Sequence, residues 1–355
     1  MSNKQDSGLF ISFNQDFSCL SVGSNNGYQI YNCDPFGRCF SRYTEDLGIG
    51  IVEMLFSTSL VAIVGTGERM NSSQRRLLIA NTKRNSTICE LSFASSVLAI
   101  KINRKNIVVV LEEFIYIYDI GNMHLLETID TCPNPNALCS LSPSPDKCYL
   151  AYPTGTTLSG ELVVYDVNQM QKVCIITAHK NALSCIQFNY SGELIATASD
   201  KGTIIRVYKS NNADLLYQFR RGTYSAHIYS LSFDLTNTFL GVSSDSDTIH
   251  IFRLGENKNN NSDESNVKTS LINGVKNKVS SLLIPDAVNT IFEPQRDFAF
   301  AKLPIQSKGI KNICAIGKNS QVMVAVENGK FYHYNLDTEQ GGECILSREY
   351  SFIDP

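Results

Sequence analysis

The sequence predicts an all-β fold, a seven-bladed β-propeller (WD40-like repeats) with four antiparallel strands in each blade. Two observations predict it: a strand-and-turn pattern that recurs about every 40 to 45 residues, and a period-two alternation of apolar and polar residues inside each copy. Composition agrees with a single folded domain over residues 1–355, since 43% of the residues are hydrophobic and only 18% are charged, enough apolar material for an extended core.

The clearest copies of the repeat are residues 186–208 and 231–252, with others at 11–31, 100–118, 140–165 and 313–334, and a degenerate copy at 51–93 brings the count to seven. Each runs apolar strand, polar turn, apolar strand, a turn of Asp, Asn or Gly, then an alternating strand that ends on an aromatic such as Tyr208 or Phe252. One such sheet cannot bury both of its faces, so the copies must pack around a common axis. Residues 8–43 and 310–352 each contain four strand-like stretches. Neither terminus therefore has to lend a strand to the other, and the ring is expected to close by blade-to-blade packing without a strand-swapped clasp.

The period breaks once, in blade six. Between the strands at 248–254 and 297–303 lies an insertion, residues 255–296, where a propeller needs only a short turn. Its first part, around Asn259, Asn260 and Asn261, is too polar to order itself. Its second part interleaves Leu271, Ile272, Val275, Val279, Leu282, Leu283 and Ile284 with Lys268, Lys276 and Lys278. That mixture is expected of a segment that dips into a membrane interface; a plain surface loop is the alternative reading.

A net charge of −3 gives no global attraction for nucleic acid or anionic lipid, so an anion would have to be met by a local patch. No nucleic-acid partner is expected. The eleven cysteines are odd in number and contain no Cys-x-x-Cys pair; they read as reduced, mostly buried thiols, not as disulfides or zinc ligands. Residues 1–8 are polar and lack the order of a signal peptide, and no apolar run approaches the ~20 residues that cross a bilayer. The expectation is a cytoplasmic protein whose membrane contact is peripheral, with no cofactor and no metal. No enzyme is expected either: a Gly-x-Ser-x-Gly elbow, a phosphate-cradling loop before a helix and paired zinc histidines are all missing from the sequence.

What stands out is Gln218-Phe219-Arg220-Arg221-Gly222-Thr223, at the end of the outermost strand of blade five. Consecutive strand residues leave opposite faces of a sheet, so Arg220 should point toward blade four and Arg221 toward blade six. Guanidinium groups suit phosphate because their planar fork donates paired, charge-assisted hydrogen bonds. Gly222 would let the chain turn without blocking either pocket. The neighbouring turns supply lesser donors. His179, Ser199, Lys201, Gly202, Thr203 and Arg206 lie on the Arg220 side; Ser243, Ser244, Thr248 and His250 lie on the Arg221 side. Bland readings stand beside these. The arginines could be blade-packing residues paired with Asp200 or Asp245, and His179 could staple its blade by bonding Asp200.

The run Phe219-Arg220-Arg221-Gly222, preceded by residues 196–206, resembles the signature of the PROPPIN family, autophagy-linked propellers that bind phosphatidylinositol 3-phosphate and phosphatidylinositol 3,5-bisphosphate. The similarity extends through Asn32-Cys33-Asp34-Pro35-Phe36, residues 53–59, residues 115–119, Pro133-Asn134-Pro135 and Gly341-Gly342-Glu343-Cys344 to the fungal autophagy branch. The resemblance implies that Arg220 anchors one lipid and Arg221 a second, that the blade six insertion enters the bilayer, and that an autophagic lipid-transfer protein is a partner. It further implies recruitment to phagophore, endosomal and vacuolar membranes, a monomer in solution, and membrane assembly as an open alternative. A generic protein-interaction scaffold that never touches lipid is the competing function. Two departures stand out. Asp247 sits where relatives often carry lysine, bringing a negative charge near the second pocket. In the blade two loop, where the family docks its lipid-transfer partner through a Pro-Arg pair, Gln74 and Arg75 occupy the matching positions, so the docking assignment rests on Arg75 and Arg76.

Overall fold

A computed structural model of the chain describes residues 9–43, 48–68, 72–155, 159–255 and 294–353. The strands form seven sheets, and in each sheet four strands lie side by side in chain order. Blade five, which carries the arginine pair, is built from Leu183–Phe188, Leu194–Ser199, Ile204–Lys209 and Leu215–Arg220. Blade six follows with Ile228–Phe233, Phe239–Ser244, Thr248–Arg253 and Ala299–Lys302. The first strand of every sheet touches the first strands of both neighbours, in an unbroken circuit from blade one to blade seven and back. First strands therefore surround the axis and fourth strands form the circumference, where their residues alternate between exposed and half-buried.

The physical reason for the ring is visible in the core. Among the described residues seven apolar clusters occur, one at each blade-to-blade interface. Strands such as Asn106–Val110 are buried along their whole length because both faces of the sheet are covered. Polar rungs cross the same interfaces near the axis: the Ser140 hydroxyl accepts from the Phe188 amide at 3.0 Å, and the Ser230 hydroxyl from the Cys314 amide at 3.1 Å.

The seven-bladed ring agrees with the sequence expectation, and so does its closure. Blade one uses only Phe10–Phe13, Cys19–Ser24, Gly27–Cys33 and Phe36–Tyr43; blade seven uses only Asn312–Ile316, Gln321–Val326, Lys330–Asn335 and Ile345–Ser351. At this seam Phe36 stacks on Phe331 and Tyr350, with ring centroids 4.6 and 4.7 Å apart. The Tyr31 hydroxyl donates to the Phe352 carbonyl at 2.9 Å.

Two features depart from a plain four-strand plan. Gly342–Glu343, part of the excursion between the last two strands of blade seven, pairs in parallel with Ala299 and Phe300 and gives blade six a fifth strand. The limb that returns from the insertion also lays Gln295 in parallel against Phe219 of blade five. All eleven cysteines are free thiols, and burial raises the Cys314 thiol to about 12. Cys39 and Cys132 are exposed, against the expectation of burial. No helix of the described residues is long and apolar enough to cross a membrane.

Because no shared sheet closes the ring, the seam depends on packing. Phe352, 3% exposed against Tyr31, should be costly to truncate. Phe352→Ala is expected to lower the unfolding free energy by about 3–5 kcal/mol, read from the midpoint of urea unfolding at unchanged slope.

Candidate functional site

Strand register decides where the two arginines go. Across the last two strands of blade five, Arg220 lies opposite Ile204 and Gln218 opposite Arg206. Residues directly opposite share a face, so Arg220 joins Ile204 and Arg206 on the side turned to blade four, where Tyr208 of the same strand packs into the four–five core. Phe219 leaves by the other face and stacks on Phe252 of blade six at 4.7 Å. Arg221 continues the Phe219 face.

The Arg220 side opens into a cleft of about 400 Å³ whose walls include His179, Ser199, Lys201, Thr203 and Arg206, five of the residues expected there, together with Lys180. Among the described residues its lining contains Lys180, Lys201 and Arg206 and no carboxylate. Arg206 is aimed by its neighbours: Nε donates to Gln218 Oε1 at 2.8 Å and Nη1 to the Ala178 carbonyl at 2.7 Å. Nη1 also lies 3.2 Å from His179 Nδ1. Since a guanidinium only donates, Nδ1 is the acceptor and the ring proton sits on Nε2, which donates to Thr197 Oγ1 at 3.0 Å. Burial first, and the Arg206 charge second, lower the His179 pKa to about 3. The imidazole is thus a neutral prop for Arg206. The staple between His179 and Asp200 is not formed, because His179 is committed to Thr197 and Arg206 while Asp200 stays exposed at its turn. The Arg220 side chain is exposed and makes no hydrogen bond or ion pair among the described residues.

Arg221 is buried, 9% exposed. Its Nε donates to the Gly202 carbonyl at 2.9 Å and its Nη2 to the Tyr224 carbonyl at 2.6 Å. Among the described residues no carboxylate bridges to it, and neither arginine is locked to Asp200 or Asp245, so that bland reading does not describe this rim. Burial pulls the Arg221 guanidinium below its ordinary value, and the nearby Asp245 charge acts against that. Gly202 makes the arrangement fit. It has φ +58, and a Cβ there would stand 1.9 Å from the Ala226 carbonyl oxygen. Gly222, by contrast, has no positive φ, and a Cβ on it would meet nothing within 4 Å. The backbone at 222 therefore does not itself require glycine, and the open space there is where a larger side chain would stand.

The donors expected around Arg221 divide by strand parity. Val242 packs against blade five, so Ser244 shares that face and Ser243 does not. Ser243 is a correction: its hydroxyl is fully buried toward blade seven, donating to the Asn312 carbonyl at 2.9 Å and pairing with Ser230 at 2.8 Å. Ser244 is also buried and shares a hydrogen bond with the Ser246 hydroxyl at 2.8 Å. Thr248 and His250 follow the parity of Phe252 and face blade five, but His250 Nδ1 is 2.8 Å from the Asp297 carboxylate on the returning limb of the insertion. Asp247 is answered locally. Lys308 bridges it at 2.5 Å and holds its carboxyl below the ordinary range.

The insertion residues Leu271, Ile272, Val275, Leu282, Leu283 and Ile284 lie outside the described residues. Its returning end does not: the Arg220 amide donates to the Gln295 carbonyl at 2.8 Å, and the Gln295 amide to the Gln218 carbonyl at 2.9 Å. That end of the insertion is therefore fastened beside Arg220. On blade two, Gln74 is tied into its own loop, donating to the Thr66 carbonyl at 2.6 Å, and Arg76 pairs with Glu90 at 3.0 Å. Arg75 is exposed. Lys180 and the brace made by Gln218 went unnoticed in the sequence. Lys180, next to His179 in the turn before the first strand of blade five, was the legible one.

A closed seven-bladed ring with two guanidiniums diverging from one edge strand defines a β-propeller with paired cationic sites on its circumference. The chain belongs to the PROPPIN family, whose model matches residues 8–353. It is 44% identical to Autophagy-related protein 18 of Yarrowia lipolytica, over 98% of this chain and 97% of that one. It is likewise 44% identical to Autophagy-related protein 18 of Dictyostelium discoideum, over 97% and 93%. Among solved structures, KlAtg21 in complex with the coiled coil of AgAtg16 is 32% identical with a TM-score of 0.76, covering 98% of this chain and 100% of that one. Kluyveromyces lactis Hsv2p, 23% identical over 97% of this chain and 99% of that one, shares the fold with a TM-score of 0.73.

Two outcomes test this geometry. The folded His179 binds a proton only near pH 3, whereas an unfolded histidine does so near pH 6.5. The unfolded chain then holds more protons between those values. Stability is undiminished above about pH 6.5 and falls by about 1.4 kcal/mol per pH unit below it. Urea unfolding across this range should show a slope that His179→Gln reduces. Gly202→Ala should cost on the order of 1–3 kcal/mol from the positive φ alone, seen as a lower thermal midpoint, with the steric conflict at Ala226 adding to it.

Proposed function

We propose that this chain is a phosphoinositide-reading recruitment protein of autophagy. It recognises phosphatidylinositol 3-phosphate and phosphatidylinositol 3,5-bisphosphate at two sites on either side of Phe219-Arg220-Arg221-Gly222. The observation that carries the reading is the electrostatic make-up of the rim. Among the described residues one cleft has Lys201 and Arg206 and no carboxylate in its walls, with Arg220, which makes no ion pair to a described residue, on the same sheet face. A buried Arg221, held among the described residues by carbonyl oxygens, lies on the other face. A cation desolvated without a carboxylate favours an incoming anion. Relatives named as autophagy-related proteins support the cellular role.

In this reading Arg220, Arg206, Lys201 and Thr203 serve the first headgroup, and Arg221 with Thr248 and His250 the second. The insertion, with Leu271 to Ile284 as its apolar side chains, adds bilayer contact beside Arg220. Two headgroups on one rim make the second binding event intramolecular, so attachment is strong only on a membrane. Recruitment is to phagophore, endosomal and vacuolar membranes, where the chain brings an autophagic lipid-transfer protein through Arg75. A protein-docking role for the ring is a second reading, favoured by the coiled coil bound to the KlAtg21 relative.

The test is vesicle co-sedimentation with a few mole per cent of either inositide. One charged hydrogen bond contributes about 1.5–3 kcal/mol, so Arg220→Thr and Arg221→Thr should each weaken binding roughly 10-fold to 150-fold. The double variant should stay in the supernatant while still unfolding in one cooperative thermal transition, at a midpoint lowered by the loss of the Arg221 bonds to Gly202 and Tyr224. Undiminished sedimentation of a folded double variant would leave the docking role as the surviving reading.

A further inference from the structure

The most exposed large apolar side chains of the described chain are Tyr224, at 86%, and Ile305, at 85%. Most of the others, such as Ile88 and Ile175, stand on outermost strands, where every second side chain faces water. Tyr224 and Ile305 do not. Tyr224 lies on the connection from blade five to blade six and Ile305 on the connection from blade six to blade seven, in a short 3₁₀ turn, Ile305–Ser307.

Propeller topology puts both on one rim. A connection between blades leaves the end of an outermost strand and enters an innermost one, so it shares its rim with the turns that join second to third strands. Here the two connections flank such a turn, Asp245 to Thr248. Both are tethered to it or to the arginine beside it: the Asp245 amide donates to the His227 carbonyl at 3.0 Å, the Leu303 amide to the Asp247 carbonyl at 2.8 Å, and Lys308 bridges Asp247. The Tyr224 carbonyl accepts the Arg221 guanidinium. An almost fully exposed tyrosine and isoleucine are thus held on fastened backbone at either side of the turn next to Arg221. An isoleucine exposed on a fastened turn keeps its apolar surface in water, which transfer to a lipid surface would relieve, and a tyrosine with an apolar body and polar tip is suited to the bilayer–water boundary.

We propose that Tyr224 and Ile305 form an apolar wedge on the blade six rim that enters the headgroup and acyl boundary of a phosphoinositide-containing bilayer, independently of the insertion. The occupant is a lipid surface because the wedge is continuous with the cationic site at Arg221. The proposal rests on the phosphoinositide reading above and adds to it a contact that a soluble headgroup cannot satisfy.

The chain contains no tryptophan, which gives a direct probe. In the full chain, Tyr224→Trp and Ile305→Trp each introduce a single emitter, with Ile88→Trp on blade two as the control. Vesicles of phosphatidylcholine with a few mole per cent phosphatidylinositol 3-phosphate should blue-shift the first two and leave the control unmoved; soluble inositol 1,3-bisphosphate should shift none of them. In parallel, Tyr224→Ser with Ile305→Ser should lower vesicle partitioning about tenfold or more, from the area term for burying apolar side chains. Its affinity for soluble inositol 1,3-bisphosphate should match the unmodified chain. Unshifted emission on vesicles, or unchanged partitioning with headgroup affinity intact, overturns the wedge alone. Equal loss of headgroup affinity in the serine variant also overturns it, since the side chains would then serve the pocket. If the unmodified chain binds neither vesicle nor headgroup, the phosphoinositide reading fails and the wedge falls with it.

Discussion

Each sheet in this ring has two apolar faces, and each face needs a neighbouring sheet; closure satisfies that demand for all seven blades at once. The constraint fixes more than the fold. It orients every blade radially, so an outermost strand offers one face to each adjoining groove. Two successive residues on such a strand then serve two different grooves with no further device. The separation of Arg220 from Arg221 is a product of strand alternation in a sheet whose two sides are both occupied.

The two grooves are built on opposite electrostatic plans. On the Arg220 side Arg206 is propped by neutral partners: a histidine that burial keeps uncharged, a glutamine and a carbonyl hold it in place without cancelling its charge. On the Arg221 side the guanidinium itself is sunk into the protein and fixed by carbonyl oxygens, with the Asp245 charge close enough to moderate it. Thr203 links the plans. It lines the first cleft while its carbonyl accepts the Arg221 amide at 2.9 Å, so a shift of this turn would disturb both sides together.

Much of the architecture was legible because its signals are periodic. The repeat, the seven copies and the self-contained first and last blades all came from patterns that strand geometry imposes on sequence. Face assignments were legible for Arg220, which ends a well-defined strand, and for Arg221, which follows it directly and keeps a backbone bond to Thr203. Ser243 and Ser244 show the limit: adjacent and chemically alike, they were grouped by nearness in sequence, yet one of them belongs to the six–seven interface. His179 shows another, since its partner is chosen by the position of Arg206 in three dimensions and not by the usual aspartate. Gly222 was legible as a turn residue clear of both pockets, while the glycine whose backbone and surroundings exclude a side chain, Gly202, carried no such signal. Contacts made by a few residues out of register with the repeat, at Gln295 and at Gly342–Glu343, carry no periodic signal and are set by the three-dimensional packing alone.

The parallel pairing of Gly342–Glu343 with blade six has a consequence for solubility. The circumference of a propeller is a row of strand borders whose unpaired amides and carbonyls invite another chain to join. Blade seven spends a short detour of its own backbone to shield part of that border on its neighbour, and the blade so shielded is the one from which the long insertion departs. A border left bare there would offer a template for edge-to-edge association whenever two copies met.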